Sequence, residues 1–574
     1  MVTCAAPDAE ETLLADLQRN APASFGAMFL ERARRTPEGF SYRRPAADGT
    51  WRAQTWAETA QAVREIAAGL LGLGLRPQDR VAIAAPTRVE WIEADFGVMC
   101  AGGATTTVYP SSSAEEIAHI LTDSGSRIAI VEDAALAEKV RPHVEHVIVI
   151  DGDGDTLARL RERGREALAA DPELVDRSTA AIAPDHLATL IYTSGTTGTP
   201  KGVCIPHSAW VYQGLAIEAM GIVGPGDVAY LWLPLSHAFG KALLSCQLSV
   251  GFEFAVDGDV SAIVKRLGEV RPTIMPAVPR IFEKVYAAVT ATGGIRGRLL
   301  TWAIKAGHTN VIADRLVLSK VRDRFGGRMR YFICGASALS PDIAAWFDAV
   351  GLPVAEGYGL TESCATTVFN RPRAVEYGTV GRPLPGTRVT IAEDGEILLK
   401  GPGLMSGYHG LPSDDTLRDG WLRTGDIGEI TERGSLRVTD RKKDLIKTSN
   451  GKYVAPGAVE ARIKALCPLV GQVIVHGDNR KFVTALIDLD PDEAAKRGLG
   501  SDFSAISQSD EIRHEISACI DRLNADLNPW ETIKKFTVLD HHLAIDQGEL
   551  TPSLKLRRRV VEQRYREQLD SMYT

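Results

Sequence analysis

The chain alternates between two hydrophobic tempos over its first 355 or so residues. Short apolar runs such as Arg80-Val-Ala-Ile-Ala-Ala-Pro86, Ala104-Thr-Thr-Thr-Val-Tyr109, Arg127-Ile-Ala-Ile-Val131 and Val147-Ile-Val-Ile150 read as buried strands. Between and after them, residues 88–101, 114–123 and 157–170 show helical spacing. The alternation continues through helices near 210–220, 278–286 and 340–350. Strands lie between these at Asp227-Val-Ala-Tyr-Leu-Trp-Leu233, Ala255-Val256, Thr273-Ile-Met275, Arg330-Tyr-Phe-Ile-Cys334 and Pro353-Val-Ala355. Strands alternating with helices of ten or so residues predict layered α/β sheets. Residues from about Pro22 to Leu75 carry helical spacing at both ends and are expected to be helical.

From about Gly378 the texture changes. Short glycine-punctuated runs (Arg388-Val-Thr-Ile391, Glu396-Ile-Leu-Leu399, Leu436-Arg-Val438) predict a small β-rich subdomain. After Asp440 an α+β segment runs to a basic helix at 556–569. The charged run Asp440-Arg-Lys-Lys-Asp444 is the best boundary. It divides a large α/β N-terminal domain (1–440) from a small α+β C-terminal domain (441–574).

Composition narrows the function. At 574 residues the chain exceeds what one core can organise. A hydrophobic content of 45% and a charged content of 24% are those of an ordinary globular protein. The net charge of -8 argues against a general nucleic-acid binder. Eight scattered cysteines without metal-ligand spacing read as buried apolar residues in a reducing compartment. The start of the chain lacks the pattern of a signal peptide, and no apolar run is long enough to span a membrane. A cytoplasmic location is expected, with peripheral membrane contact left open and the oligomeric state, monomer or homodimer, undetermined.

Chemistry concentrates first in Tyr192-Thr-Ser-Gly-Thr-Thr-Gly-Thr-Pro-Lys-Gly202, a polar loop between two apolar strands. Its glycines, Gly195 among them, turn backbone amides inward. Thr193, Ser194, Thr196 and Thr197 donate hydroxyls, and Lys201 adds a point charge, so the loop can wrap a polyphosphate. It is no P-loop, because no Ser or Thr follows Lys201 and a strand follows instead of a helix.

A second cluster, Glu356-Gly-Tyr-Gly-Leu-Thr-Glu362, comes after the strand expected to end near Ala355, where open α/β sheets place ligands. Tyr358 offers a face for a purine, Thr361 a hydroxyl for phosphate, and Glu362 a hard oxygen for Mg²⁺. In Gly420-Trp-Leu-Arg-Thr-Gly-Asp426, the Asp426 carboxylate can accept from both hydroxyls of a ribose.

In this order and spacing the motifs resemble the adenylate-forming superfamily of acyl-CoA synthetases, peptide-synthetase adenylation domains and luciferases. The resemblance runs from about Phe25 to Arg559 and implies ATP, Mg²⁺ and CoA as cofactors and a carboxylic acid as substrate. It implies that Glu356, Gly357, Tyr358 and Gly359 contact the nucleotide and that Glu362 sits at the metal. Gly335, Ala336 and Ser337 form an adenine edge and one wall of the acyl pocket, although close helix–strand packing accounts for them equally. His237, in Leu233-Pro-Leu-Ser-His237, is either a satisfied core histidine or, as the resemblance implies, a binding and gating residue. Phe239 and Lys241 follow it; a lysine beside an acyl entrance is odd for a purely greasy pocket unless it faces solvent, and its role stays open.

Downstream, Arg441 resembles the arginine that reaches ribose and phosphate, and Lys443 falls at the hinge position. Lys447 is taken as catalytic, and Gly451 lies in a CoA-side loop where Asn450-Gly451 replaces the usual pair of glycines. Lys555, in Glu549-Leu-Thr-Pro-Ser-Leu-Lys555, resembles the adenylation lysine of a mobile small domain. Val278-Pro-Arg-Ile-Phe-Glu-Lys-Val-Tyr286 and Leu550–Arg557 look most like the long-chain fatty acyl-CoA synthetase branch. A carrier-protein thiol in place of CoA, a member performing one half-reaction only, and an idle nucleotide-binding regulator remain the alternatives.

Overall fold

The computed structural model describes residues 3–194, 200–290, 294–412, 416–450, 452–545, 547–551 and 556–574. Two parallel-centred sheets form the body of the N-terminal domain. In the seven-stranded sheet the order is Gly407–Tyr408, Pro200–Pro206, Leu187–Ser194, Ala104–Val108, Arg80–Ala84, Ile128–Val131 and His146–Val149. The last five run parallel, and Leu187–Ser194 returns antiparallel through Pro200–Pro206.

The nine-stranded sheet places Val354–Tyr358, Tyr331–Cys334, Ile274–Ala277, Val228–Leu231, Glu253–Val256 and Phe40–Pro45 side by side in parallel. Short antiparallel strands close both edges. Burial on both faces demands the near-continuous apolar runs seen in the sequence. One large core links the two sheets through helices such as Trp56–Gly72, Val89–Cys100 and His207–Ala219.

The β-rich subdomain is an antiparallel sheet built on Arg388–Ile391, Glu396–Lys400, Trp421–Ile430 and Leu436–Arg441. Beyond it the C-terminal domain pairs Val470–His476, Val483–Leu489 and Ile533–Val538 over a separate core.

Three expectations are corrected. The 22–75 region is not helical throughout: between helices Phe25–Arg35 and Trp56–Gly72 a hairpin, Phe40–Pro45 with Trp51–Thr55, extends the nine-stranded sheet. Its turn uses Gly49 at φ +81°, and Trp51–Thr55 becomes the edge strand of that sheet. The strand expected to stop near Ala355 runs on to Tyr358, so Glu356, Gly357 and Tyr358 are strand residues. A helix absent from the sequence reading, Ala238–Val250, follows His237 directly. All eight cysteines are free, and all but Cys204 are buried.

Candidate active site

The strands Tyr331–Cys334 and Val354–Tyr358 end side by side, and their parallel register sends both following segments to the same edge. Tyr358 therefore projects from the sheet's carboxyl end and donates to the Asp426 Oδ2 at 2.7 Å. Asp426 comes from a different sheet and is 5% exposed. Arg441, opposite Asp426 across the strand pair, brings its Nε to 3.4 Å from Oδ1. Burial pushes the Asp426 carboxyl above the ordinary aspartate range, while Arg441 and the Tyr358 hydroxyl pull it back. Burial likewise holds the Tyr358 phenol well above its usual value, so it stays a donor.

The turn that aims Asp426 is built by groups the sequence did not flag. Gly425 adopts φ +71°, which disfavours other residues. Its amide donates to Glu396, which is almost fully buried and also binds Arg423 and Lys442. Thr424 Oγ1 donates to Ile397 O at 2.7 Å and accepts from the Asp426 amide at 3.1 Å.

Glu362 lies in the short turn Thr361–Ser363 and is half-buried. Its Oε1 accepts from the Tyr408 hydroxyl at 2.9 Å, and the Tyr408 ring lies under the Lys201 ammonium at 5.1 Å. Tyr408 thus couples the lysine of the phosphate loop to the acidic residue. Sequence reasoning missed it, because Gly407–Tyr408 is a two-residue strand pairing with Val203 and Cys204 far away in the chain. Lys201 itself stands across the hairpin from Thr193. Ser194 ends the first strand of that hairpin; Gly195, Thr196 and Thr197 lie outside the described residues, as do Gly451 and Lys555. Among the described residues no cluster of three acidic, His or Cys side chains could hold a metal. Glu362 offers a carboxylate oxygen of the kind Mg²⁺ takes.

The neighbouring loop is tight. A Cβ on Gly359 would lie 2.1 Å from Ala365 O, and one on Gly357 2.9 Å from the Phe369 ring. Ala336 is held at φ +74°, a strained setting for a residue with a Cβ. Glu356 is 6% exposed and accepts from Leu339 N at 3.2 Å, just beyond the Gly335–Ser337 loop. Burial raises its carboxyl to about 7.

His237 caps the helix Ala238–Val250, its Nδ1 accepting from Phe239 N at 3.2 Å. Phe239 packs where a Cβ on Gly335 would meet its ring at 3.2 Å. Behind it a small apolar cavity of about 50 Å³ lies between this helix and the nine-stranded sheet, lined by Phe239, Ala242, Phe254, Ile333, Thr366 and Phe369 among others.

Lys241 does not face solvent. It is fully buried, pairs with the equally buried Asp95 at 2.6 Å, and lies 5.9 and 5.8 Å from the Trp91 and Trp210 rings. Burial drives its ammonium below the ordinary lysine value, and Asp95 opposes that.

In the small domain Lys447 is exposed, its ammonium 5.6 Å from the Tyr453 ring. Lys443 is exposed too, beside Asp440, whose carboxylate accepts from the Arg441 and Gly457 amides. The structure thus brings Tyr358, Asp426, Arg441, Glu362, Lys201 and the Gly335 loop to one edge; it does not bring Lys447 among them.

Comparison with known proteins agrees with this geometry. A long-chain-fatty-acid–CoA ligase, FadD15, of Mycobacterium bovis is 33% identical over 589 residues, spanning 95% of this chain and 96% of its own. The adenylation domain of a carboxylate reductase from Mycobacterium chelonae superposes with a TM-score of 0.74 at 20% identity, over 99% of this chain and 94% of that one. An anthranilate CoA ligase in complex with anthranoyl-AMP gives 0.73 at 20% identity, covering 98% and 99%. These two show the shared fold. The model of the AMP-binding enzyme family matches residues 29–409, and that of the AMP-binding enzyme C-terminal domain matches 443–574. With both parts of the family's architecture matched in order, the chain belongs to the AMP-binding enzymes.

Proposed function

We propose that this protein is an AMP-forming acyl-CoA synthetase, an acid–thiol ligase acting on a lipophilic, fatty or bulky carboxylic acid. The observation that carries the reading is the Tyr358–Asp426–Arg441 constellation opening beside an apolar cavity. A nucleotide platform and a greasy slot share one sheet edge. The similarity to a long-chain-fatty-acid–CoA ligase supports the fatty end of that range.

In the first half-reaction a carboxylate oxygen attacks the α-phosphorus of ATP. The bond to the bridging oxygen breaks, and pyrophosphate leaves with its electron pair. In the second, the CoA sulfur attacks the acyl carbon and AMP departs with the former carboxylate oxygen. The thiol proton passes to solvent.

Charge neutralisation and positioning dominate the first step. Tyr358 lies along the adenine, Asp426 and Arg441 hold the ribose, and the Gly335–Ser337 loop borders the base. Lys201 and the hydroxyls of its loop hold the outer phosphates. Glu362, oriented by the Tyr408 hydroxyl, would hold a Mg²⁺, which would supply further neutralisation of the triphosphate. His237 and Phe239 gate the acyl slot. The domains meet at residues 440 and 441, and Lys443 is the hinge about which the 441–574 domain turns. One orientation brings in Lys555 for adenylation, and the other brings the Gly451 loop toward the thiol. Lys447 acts from the same mobile surface. Eight free thiols support a reducing, cytoplasmic setting.

The test is a pyrophosphate-release screen of aliphatic, aryl and polycyclic acids, with thioester detection on CoA and on a phosphopantetheinylated carrier. Release with long aliphatic acids and thioester on CoA is expected. Thioester on the carrier alone would reassign the acceptor. ATP binding without release from any acid would overturn the enzymatic reading.

A further inference from the structure

One surface breaks the usual rule that large apolar side chains are scattered singly. Of the fifteen exposed large hydrophobic residues among those described, six fall between positions 295 and 316. Ile295, Leu299 and Trp302 recur at helical spacing along one face of the helix Gly294–Ala306, at 85%, 45% and 44% exposure. Val311, Ile312 and Leu316 stand out from the next helical segments, Val311–Ala313 and Asp314–Leu318, which pack against that helix. The exposure is no failure of packing. Ala303, Ala313 and Leu318 of the same segments are completely buried. The segment is seated on the body of the protein and still presents a second, unpartnered apolar face.

Its charge singles out what would cover it. The whole chain carries a net charge of -8, yet residues 294–324 hold seven Lys and Arg against two Asp. Arg322 pairs with Asp314. Among the described residues Arg298, Lys305, Arg315 and Lys320 have no carboxylate partner, and Arg298, Lys305 and Arg315 are interleaved with the exposed apolar positions. Apolar side chains, one tryptophan and unpaired cations on a single face match a bilayer surface carrying anionic headgroups: the apolar groups enter the acyl boundary and the cations stay with the phosphates. A second copy of this chain fits poorly, since two such faces would set like charges together. No helix among the described residues is long and apolar enough to cross a membrane, so contact would be in the plane of the interface.

We propose that the face formed by Ile295, Leu299, Trp302, Val311, Ile312 and Leu316 with its basic residues docks the protein on anionic lipid bilayers. Immediately after these helices the chain enters the strand Tyr331–Cys334, whose Tyr331 and Ile333 line the apolar cavity. A docked face is thus covalently close to the slot proposed for a lipophilic acid.

The test is flotation of the full chain with vesicles of phosphatidylcholine, with and without phosphatidylglycerol, in the absence of substrate. This readout is independent of the acyl-CoA reading. Wild type should float only with phosphatidylglycerol and be released by salt. The exposed-site variant I295S/W302S/I312S should lose at least about tenfold in partitioning. Reversal of charge in R298E/R315E should cost about tenfold or more. Both variants should keep the wild-type pyrophosphate release with a short, water-soluble acid that is turned over. Equal flotation of wild type and both variants, absence of wild-type flotation, or equal binding to neutral vesicles would overturn the proposal. So would a wild-type dimer in sedimentation that I295S/W302S/I312S dissociates.

Discussion

The two domains hold their functional side chains in contrasting ways. On the large-domain side Tyr358, Asp426 and Glu362 are each fixed by a short hydrogen bond inside or at the edge of one extensive core, and the turn carrying Asp426 is braced by Glu396. On the small-domain side Lys443 and Lys447 are exposed. The domain's contacts with the rest are largely polar: Arg280 with Asp490, Lys284 with Asp492, Arg557 near Glu116 and Asp440 with the Gly457 amide. Polar interfaces separate at little cost, whereas a preorganised nucleotide platform gains from rigidity. The difference supports the proposed division of labour between a preorganised nucleotide platform and a movable small domain.

The sharpest break of that comparison is Lys555→Ala. If the small domain delivers the adenylation charge, pyrophosphate release should fall by about a hundredfold or more, as for loss of one transition-state donor. Thioester formation from supplied acyl-AMP should stay near wild type. Equal loss in both half-reactions would place Lys555 in structure instead.

On the rigid side, Tyr358→Phe removes a hydrogen bond from a buried carboxylate and should cost about tenfold in kcat/KM for ATP. Asp426→Ala should cost more, because Tyr358 and Arg441 then lose their shared acceptor. The effect should appear in the KM for ATP with the acid dependence unchanged. A shift confined to the acid would separate these residues from the nucleotide.

How much of this was legible beforehand depends on locality. The helix Leu157–Ala170 matches its expected bounds, because a Thr156 cap and a clean amphipathic pattern carry the signal locally. The helix Ala238–Val250 was invisible since it is buried on nearly every side and shows no period. The Phe40–Thr55 hairpin hid between two strongly helical stretches. In the site, Tyr358, Asp426, Arg441 and Glu362 could be named because each stands in a compact motif. Tyr408 and Asp95 could not, because their partners Glu362 and Lys241 lie 46 and 146 residues away. Solvent exposure was the natural guess for Lys241 until Asp95 supplied the missing charge. Strand-end contacts of this kind are set by topology, which no local window contains.

A gentler probe of the interface is Arg280→Ala. Burial disfavours ionised Asp490, and Arg280 outweighs it, holding that carboxyl below its usual range. Losing the arginine leaves a nearly buried charge unpaired and should shift the balance of domain orientations. The two half-reactions should then change by unequal factors of about two to five. Lys443→Pro, which restricts the hinge itself, should spare adenylation more than thioester formation. Equal rates in both variants would make the interface irrelevant to the switch.

The smallest effect on catalysis is expected behind the platform, at Glu356, where the readout is stability. Its carboxyl sits at about 7 in the folded protein, raised by burial, against an ordinary value of about 4.3 when unfolded. Between those values the native state holds the proton that the unfolded chain has released. Stability from this residue is therefore complete at the acidic end and declines as pH rises toward 7, by up to about 3 kcal/mol, then levels off. Glu356→Gln keeps an acceptor for Leu339 N but cannot ionise. Its melting temperature should match wild type below about pH 4 and exceed it increasingly toward about pH 7. A gap independent of pH would mean that the carboxylate is solvated in the native state. The Gly335–Ser337 loop next to it would then belong with the movable side of the comparison.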